Sequence, residues 1–143
     1  MILRYWEEKD VPVVAEMEKA CFSDPWNEEA LRSSYVNPLN HCFLVEDGGQ
    51  VRGYCILFTL FEDAEVLNVA VEKSVRGKGY GTALMSKMHQ TAKKLGATQS
   101  FLEVRVSNQS AIALYEKFGY RSYGVREKYY ADGENAFVMK TTL

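Results

Sequence analysis

The chain is 143 residues long, 47% hydrophobic and 25% charged, which fits one globular domain spanning 1–143 and excludes a disordered chain. The formal net charge of −2 argues against a general nucleic-acid binder, a class that carries a basic domain. Cys21, Cys42 and Cys55 have neither finger nor CxxC spacing, so they read as buried hydrophobes of a reducing compartment and not as metal ligands.

Met1-Ile2-Leu3-Arg4 leads into acidic residues, not an apolar h-region, so no signal peptide is expected. No apolar run approaches the ~20 residues of a membrane helix. The expected location is the cytoplasm, with neither a membrane nor a nucleic-acid partner. Near-neutrality conceals an asymmetry. Residues 1–72 hold 14 acidic and 5 basic residues, whereas residues 73–94 hold 6 basic residues and no acidic one. The basic stretch calls for a small anionic ligand.

In chain order, Ile2–Trp6 reads as a first strand. Asp10 is placed to cap a helix running to about Cys21, with Pro12 tolerated in its first turn. Val13, Val14, Met17, Ala20 and Cys21 give that helix an apolar face. Ser23-Asp24-Pro25 breaks the chain, and Asn27 caps a second helix with Glu28 and Glu29 in its first turn. His41–Glu46 and Val51–Leu60 flank Asp47-Gly48-Gly49-Gln50, a hairpin signal, and Glu65–Val71 follows as a third strand-like run. Residues 75–82, Val-Arg-Gly-Lys-Gly-Tyr-Gly-Thr, form a glycine-rich loop. It opens a helix with Leu84, Met85, Met88, Ala92 and Leu95 on one face, ended by Gly96.

Ser100–Val106 is a further strand, and Ser107-Asn108 precedes a helix from about Gln109 to Phe118, ended by Gly119. Arg121–Tyr130 and Asn135–Thr142 form a final hairpin across Asp132-Gly133-Glu134. The fold class is α/β, with about seven strands and about four helices in one domain. The strand-loop-helix-strand order from 65 to 106 implies a parallel pair with a right-handed crossover.

The loop is the most informative feature. Gly77, Gly79 and Gly81 let backbone approach a ligand closely, and they stand at a helix N-terminus, where free N–H groups and the dipole favour an anion. Arg76 and Lys78 add charge. The dinucleotide fingerprint fails, because its last position is Thr82, and no Walker Gly-Lys-Ser/Thr occurs. Arg76-x-x-Gly79-x-Gly81 instead resembles the pyrophosphate-binding motif of the GNAT N-acetyltransferases. The alternative is a glycine-rich turn that starts a helix.

A second run, Leu102-Glu103-Val104-Arg105-Val106-Ser107-Asn108 followed by Ala111-Ile112-x-Leu114-Tyr115, resembles the same family's cofactor site. Together with Tyr129-Tyr130 and Pro25-Trp26, it is most similar to the RimI-type branch, the ribosomal-protein-alanine N-acetyltransferases. The resemblance covers essentially the whole chain. It implies the GNAT fold, a mixed, mostly antiparallel sheet flanked by helices. It implies acetyl-CoA as co-substrate, no metal, and the N-terminal alanine of small-subunit ribosomal protein eighteen as acceptor.

Carried over residue by residue, the resemblance implies Glu103 as general base and Tyr115 as general acid. Val69, Ala70, Val71, Arg76, Gly77, Lys78, Gly79, Tyr80, Gly81, Thr82 and Asn108 would hold the cofactor. Pro25, Trp26, Tyr129 and Tyr130 would face the peptide. Plainer roles stand beside these. Asn108 is also a helix cap, Tyr115 also a core residue, Glu103 also a solvated sheet residue, and the hairpin tyrosines also sheet packing. His89, at the edge of its helix's apolar face, reads as helix surface. Asn27 stands where the branch has Ser or Thr, though Asn caps equally well, and Asn135 stands where it has Asp, a lost carboxylate that bears on the choice of peptide. Another amine as acceptor, or a non-catalytic acetyl-CoA sensor, are the competing readings, and the oligomeric state stays open.

Overall fold

Alternating apolar residues build a sheet with two buried faces. In the computed structural model, which describes residues 1–143, the elements are β1 (Ile2–Tyr5), α1 (Val11–Cys21), α2 (Glu28–Val36), β2 (Asn40–Asp47), β3 (Gln50–Leu60), β4 (Asp63–Val71), α3 (Tyr80–Lys94), β5 (Gln99–Arg105), α4 (Gln109–Lys117), β6 (Arg121–Arg126) and β7 (Ala136–Thr142). Seven strands form one sheet in the order β1-β2-β3-β4-β5-β7-β6. Every neighbouring pair is antiparallel except β4–β5. The expected mixed, mostly antiparallel sheet with four α-helices is therefore what forms.

Each face of the sheet has its own core. On one, Leu84, Met85, Met88 and Ala92 of α3 pack on Phe43, Cys55, Leu57, Val66, Leu102 and Val104. On the other, Val11, Val14 and Ala15 of α1 and Leu31 of α2 pack on Cys42, Leu44, Tyr54 and Ile56. Each fully buried aliphatic side chain contributes roughly 1.5–3 kcal/mol. The β2–β3 turn has Gly48 and Gly49 at φ 63° and 77°, the left-handed pair that a two-residue hairpin matched to the strand twist requires.

Several expectations are corrected. β1 stops at Tyr5, because Trp6 turns into the core and its Nε1 donates to the Phe43 carbonyl at 2.8 Å. Asp10 does not cap α1 with its side chain. A 3-10 turn, Glu8–Asp10, comes first, and the Asp10 carboxylate accepts the Glu7 N–H at 2.6 Å and both Arg4 terminal nitrogens at 2.7 and 3.0 Å. The buried stripe of α1 is Val11, Val14, Ala15 and Glu18, and Val13 is 45% exposed. Leu95 is 52% exposed, because it falls at the C-cap of α3 and not within its buried face. β6 ends at Arg126, so Tyr129 and Tyr130 lie in the β6–β7 loop and not on a strand. Lys128, at φ 51°, turns the chain out of the extended conformation there.

The feature that positions the site is the short contact between β4 and β5. They pair only from Asp63–Glu65 to Gln99–Phe101 and then part, while β4 stays on β3 and β5 stays on β7. A register shift puts Leu67 as an extra residue in β4, between the partners of Ile56 and Leu57, and such a bulge adds local bend.

Arg4 also donates to Glu46 at 2.6 Å, so Asp10 anchors a network joining β1, β2 and the entry to α1. Asp10→Ala should lower the unfolding free energy by about 2 kcal/mol, as loss of one partner from a mostly buried pair does, read by urea denaturation. The Arg4 guanidinium holds the Asp10 carboxyl below the usual carboxylate range. Its stabilisation is therefore present above the unfolded-state value and lost as pH falls through the lower folded one, and Asp10→Ala should flatten that acid limb.

Candidate active site

Where β4 and β5 part, a cleft of about 1360 Å³ opens, walled by β4, β5, the start of α3, α4, the α1–α2 loop and the β6–β7 loop. Its first wall is backbone. The Val71 carbonyl accepts Arg76 Nε at 3.0 Å and the Cys21 thiol at 3.7 Å, so it faces the cleft and not β3. By two-residue alternation, Val69 presents its N–H and C=O to the cleft as well, while those of Ala70 face β3.

One end of the cleft suits an anion. Gly77 and Gly79 have φ of 81° and 93°, and Gly79 is the N-cap of α3 with no side chain closing the cap. The first N–H groups of α3 are therefore left free to bind an anion. A Cβ on Gly81 would meet Leu114 Cδ2 at 3.1 Å, so glycine lets α3 and α4 approach each other. Lys73, Arg76 and Thr82 line the cleft, but Lys78 does not. Tyr80 is buried, and its hydroxyl donates to Asp47 Oδ2 at 2.7 Å. Its side chain thus ties α3 to the β2–β3 hairpin, and only its backbone is left for a ligand.

Both proposed catalytic side chains line the same cleft. Glu103 projects from β5 opposite the buried Leu102 and Val104, with Arg126 Nε at 3.4 Å. Glu65 lies beside it. Burial first, and then the Glu103 charge, raise the Glu65 carboxyl above the usual range. Tyr115 is 7% exposed, and burial pushes its phenol well up, so it stays protonated. Its ring packs edge-on against Tyr120 at 6.0 Å. The Tyr120 hydroxyl is fixed by Ser100 Oγ at 2.6 Å and His89 Nε2 at 2.8 Å. His89 is thus half-buried in a hydrogen bond and not simply helix surface, because it faces α4 and not solvent.

The opposite end of the cleft is held by Arg105. Its guanidinium bonds Asp24 at 2.8 Å, Asp132 at 2.9 Å and Glu134 at 2.9 Å, and it stacks 4.1 Å from the Tyr130 ring centroid. One cation therefore fastens the α1–α2 loop and the β6–β7 loop to β5. Trp26, Tyr129 and Tyr130 line the cleft, but Pro25 does not. Asn108 lines it too, and its Oδ1 accepts the Ala111 N–H at 3.2 Å, so it does cap α4. Asn135 Oδ1 accepts the Lys128 N–H at 2.9 Å, so this residue serves the loop's own shape.

Sequence reasoning missed Glu18. It is 2% exposed and lines the cleft. Its carboxylate accepts the Tyr54 hydroxyl, Asn68 Nδ2 at 2.8 Å and the Trp26 N–H at 3.0 Å. The signal was available, since Glu18 falls in helical register with Val11, Val14 and Ala15. A charge at that position of a buried stripe must be hydrogen-bonded inside the protein.

The model of the acetyltransferase (GNAT) family matches residues 11–120. A putative [ribosomal protein bS18]-alanine N-acetyltransferase of Bacillus subtilis is 35% identical over 137 residues, 94% of this chain and 91% of the relative. The [ribosomal protein bS18]-alanine N-acetyltransferase of Escherichia coli K12 is 31% identical, covering 93% and 91%. The crystal structure of the ribosomal-protein-S18-alanine N-acetyltransferase from Escherichia coli superposes with a TM-score of 0.90 at 29% identity, over 99% of this chain and 92% of that one.

Glu18→Ala would strand the buried Tyr54 hydroxyl and two partly buried donors, the first costing about 1–3 kcal/mol when unsatisfied. The expected result is a fall of at least about 2 kcal/mol in unfolding free energy by urea titration. Glu18→Gln, which keeps an acceptor, should lose less.

Proposed function

This chain belongs to the GNAT acetyltransferase family, whose members use acetyl-CoA, and from that membership we propose its reaction. Residues 1–143 form an acetyltransferase domain that moves the acetyl group of acetyl-CoA to the N-terminal α-amine of a protein. The acceptor is the N-terminal alanine of small-subunit ribosomal protein eighteen (bS18). The carrying observation is one cleft with an anion-binding helix start at one end and a carboxylate beside a buried tyrosine within it. The acceptor named for the relatives supports the choice of peptide. A ribosomal-protein acceptor also supports a cytoplasmic site of action.

The pyrophosphate rests on the free N–H groups at the start of α3, with Arg76 and Lys73 nearby, and the pantetheine arm pairs with Val69 and Val71. Asn108 flanks that arm. Trp26, Tyr129 and Tyr130 wall the part of the cleft that takes the peptide's N-terminal residue. An α-amine with pKa about 7.7–8.0 is roughly one-tenth neutral at pH 7, whereas a lysine near 10.4 is neutral about once in two thousand. That difference, about 3 kcal/mol, favours the α-amine as nucleophile.

The α-ammonium is drawn between Glu65 and Glu103 and gives up one proton to solvent. The neutral amine then attacks the thioester carbonyl, and Glu103 takes the second proton, made acidic as the C–N bond forms. The developing oxyanion faces backbone N–H groups of the β4 edge, preorganised donors that need no rearrangement. Burial keeps the Tyr115 hydroxyl protonated until collapse. The expelled thiolate of coenzyme A then takes its proton, and the phenolate regains one from solvent. Transfer is direct, with no acetyl-enzyme.

The test is to incubate the protein with acetyl-CoA and two peptides, one with a free N-terminal alanine and one with a blocked N-terminus and an internal lysine. A one-acetyl mass gain on the first alone supports the reading, and no gain on either would overturn it. Glu103→Gln should lower kcat by about 10²–10⁴-fold, the range of general-base catalysis, with acetyl-CoA affinity nearly unchanged by calorimetry. A large loss of affinity would exclude the base role.

Glu65→Gln should raise the peptide KM, because one of the two charges receiving the ammonium is gone. Its effect on stability has a definite sign. The folded-state carboxyl titrates above its unfolded-state range, so ionising it costs folding free energy as pH rises through that window. Glu65→Gln should remove this loss, measured by thermal unfolding across the carboxylate range.

A further inference from the structure

The two helical layers do not cover the sheet equally. On the face that carries α1 and α2, the buried cluster draws on β2, β3 and β4 but on no residue of β5, β6 or β7. Strand alternation puts Phe58 and Leu60 on that same face, in line with the buried Tyr54 and Ile56. It also puts Phe101 and Glu103 there, opposite Leu102 and Val104, which lie in the α3 core.

The uncovered area is a groove, not a flat surface. It offers about 260 Å³, open to solvent, lined by the apolar side chains of Phe58, Leu60, Phe101, Tyr123 and Val138 and rimmed by the charged Asp63, Glu65, Glu103 and Arg126. An apolar cavity of about 150 Å³ is enough to hold a benzene ring, so one bulky side chain fits. Phe101 and Tyr123 stand edge to face at 6.3 Å, giving the groove an aromatic wall.

The groove continues the active-site cleft. Glu65 and Glu103 line both spaces. Phe101 is two residues before Glu103 on β5, a distance of about 7 Å along a strand. An extended peptide whose amine meets Glu103 covers that distance in about two residues. Tyr123 is 53% and Leu60 44% exposed, so the groove is reachable from solvent.

We propose that this groove is a specificity subsite of the acetyl-transfer reaction: it binds one bulky apolar side chain at the second or third residue of the acceptor polypeptide. The proposal rests on N-terminal acetyl transfer being the activity. With the N-terminal amine at Glu103, the groove floor at Phe101 and Tyr123 lies one strand repeat further on, beside the residues that follow the first. Selection among alanine-starting chains then falls to the residue that follows down the sheet. Arg126 lines the groove and pairs with Glu103 at 3.4 Å, one of the two residues the groove shares with the cleft.

The test uses alanine-starting peptides that differ only at positions two and three, carrying leucine, phenylalanine or serine there. Coenzyme A release gives kcat/KM for the wild type, Tyr123→Ala and Leu60→Ser. The wild type should prefer an apolar peptide over the all-serine one by about tenfold, the worth of partly burying one such side chain. Either variant should cut that ratio severalfold. Equal kcat/KM for all peptides with the wild type would overturn the subsite while leaving acetyl transfer standing. So would a ratio that survives both variants, or a fall that is the same for every peptide. Failure to acetylate any peptide would overturn acetyl transfer and the subsite with it.

Discussion

Three residue pairs between β4 and β5 decide most of what this molecule can do. Two parallel strands that pair and then part leave backbone N–H and C=O groups without partners, and buried backbone groups of that kind are costly. Val69 and the N–H of Val71 are in this position, whereas the Val71 carbonyl is taken by Arg76 Nε and the Cys21 thiol. The cost falls away when a ligand with its own amides lies along the edge, so the edge acts as a template for an extended chain. Elsewhere such an edge invites aggregation. Here α3, α4 and the two loops enclose it. The bulge at Leu67 starts the divergence, and β7, paired along the whole of β5, keeps the second strand from following β4.

Holding the cleft open and shaped takes charges that the reaction does not use. Arg105 and Glu18 act as opposite-signed anchors. Arg105 gathers Asp24, Asp132 and Glu134, and Glu18 gathers Tyr54, Asn68 and the Trp26 backbone. Both reach the α1–α2 loop, one through Asp24 and the other through Trp26, from opposite sides of the splayed strands. A loop held at two points loses little further entropy when a peptide arrives, which is the advantage of preorganisation. The arrangement also explains why a tyrosine pair in an irregular loop can hold a fixed place in the cleft wall, since Tyr130 is stacked on the Arg105 guanidinium.

Much of this was legible in the sequence, and the legible parts share a cause. The Gly48-Gly49 turn, the Asn27 and Asn108 caps, Gly96 and the glycines of the α3 loop each satisfy a local backbone requirement that few residues can meet. The parts that were not legible depend on distant partners. Asp10 has the chemistry of a cap, but Arg4 and the Glu7 N–H claim it. Tyr80 lies in an anion-binding loop, yet Asp47 draws its hydroxyl away. Glu18 lies outside the apolar face expected from Val13, Val14 and Met17, and falls into the buried stripe only with the observed register of Val11, Val14 and Ala15. Tyr129 and Tyr130 have strand propensity, but the positive φ of Lys128 ends the ladder before them.

The charge asymmetry along the chain illustrates the same limit. Six basic residues in 73–94 invite the reading that they all serve an anionic ligand, but only Lys73 and Arg76 line the cleft. Lys93 and Lys94 lie in the last turn of α3, where they offset the negative end of the helix dipole. Lys87 lies over the Phe43 ring at 5.6 Å. Most of the anion's binding must therefore come from the backbone at the start of α3 and only a minority from formal charge. Backbone donors of this kind sit in fixed positions at a cap that no side chain closes, whereas an exposed lysine must lose rotamer freedom to bind. The two glycines at positive φ therefore matter more to that end of the cleft than the lysine between them.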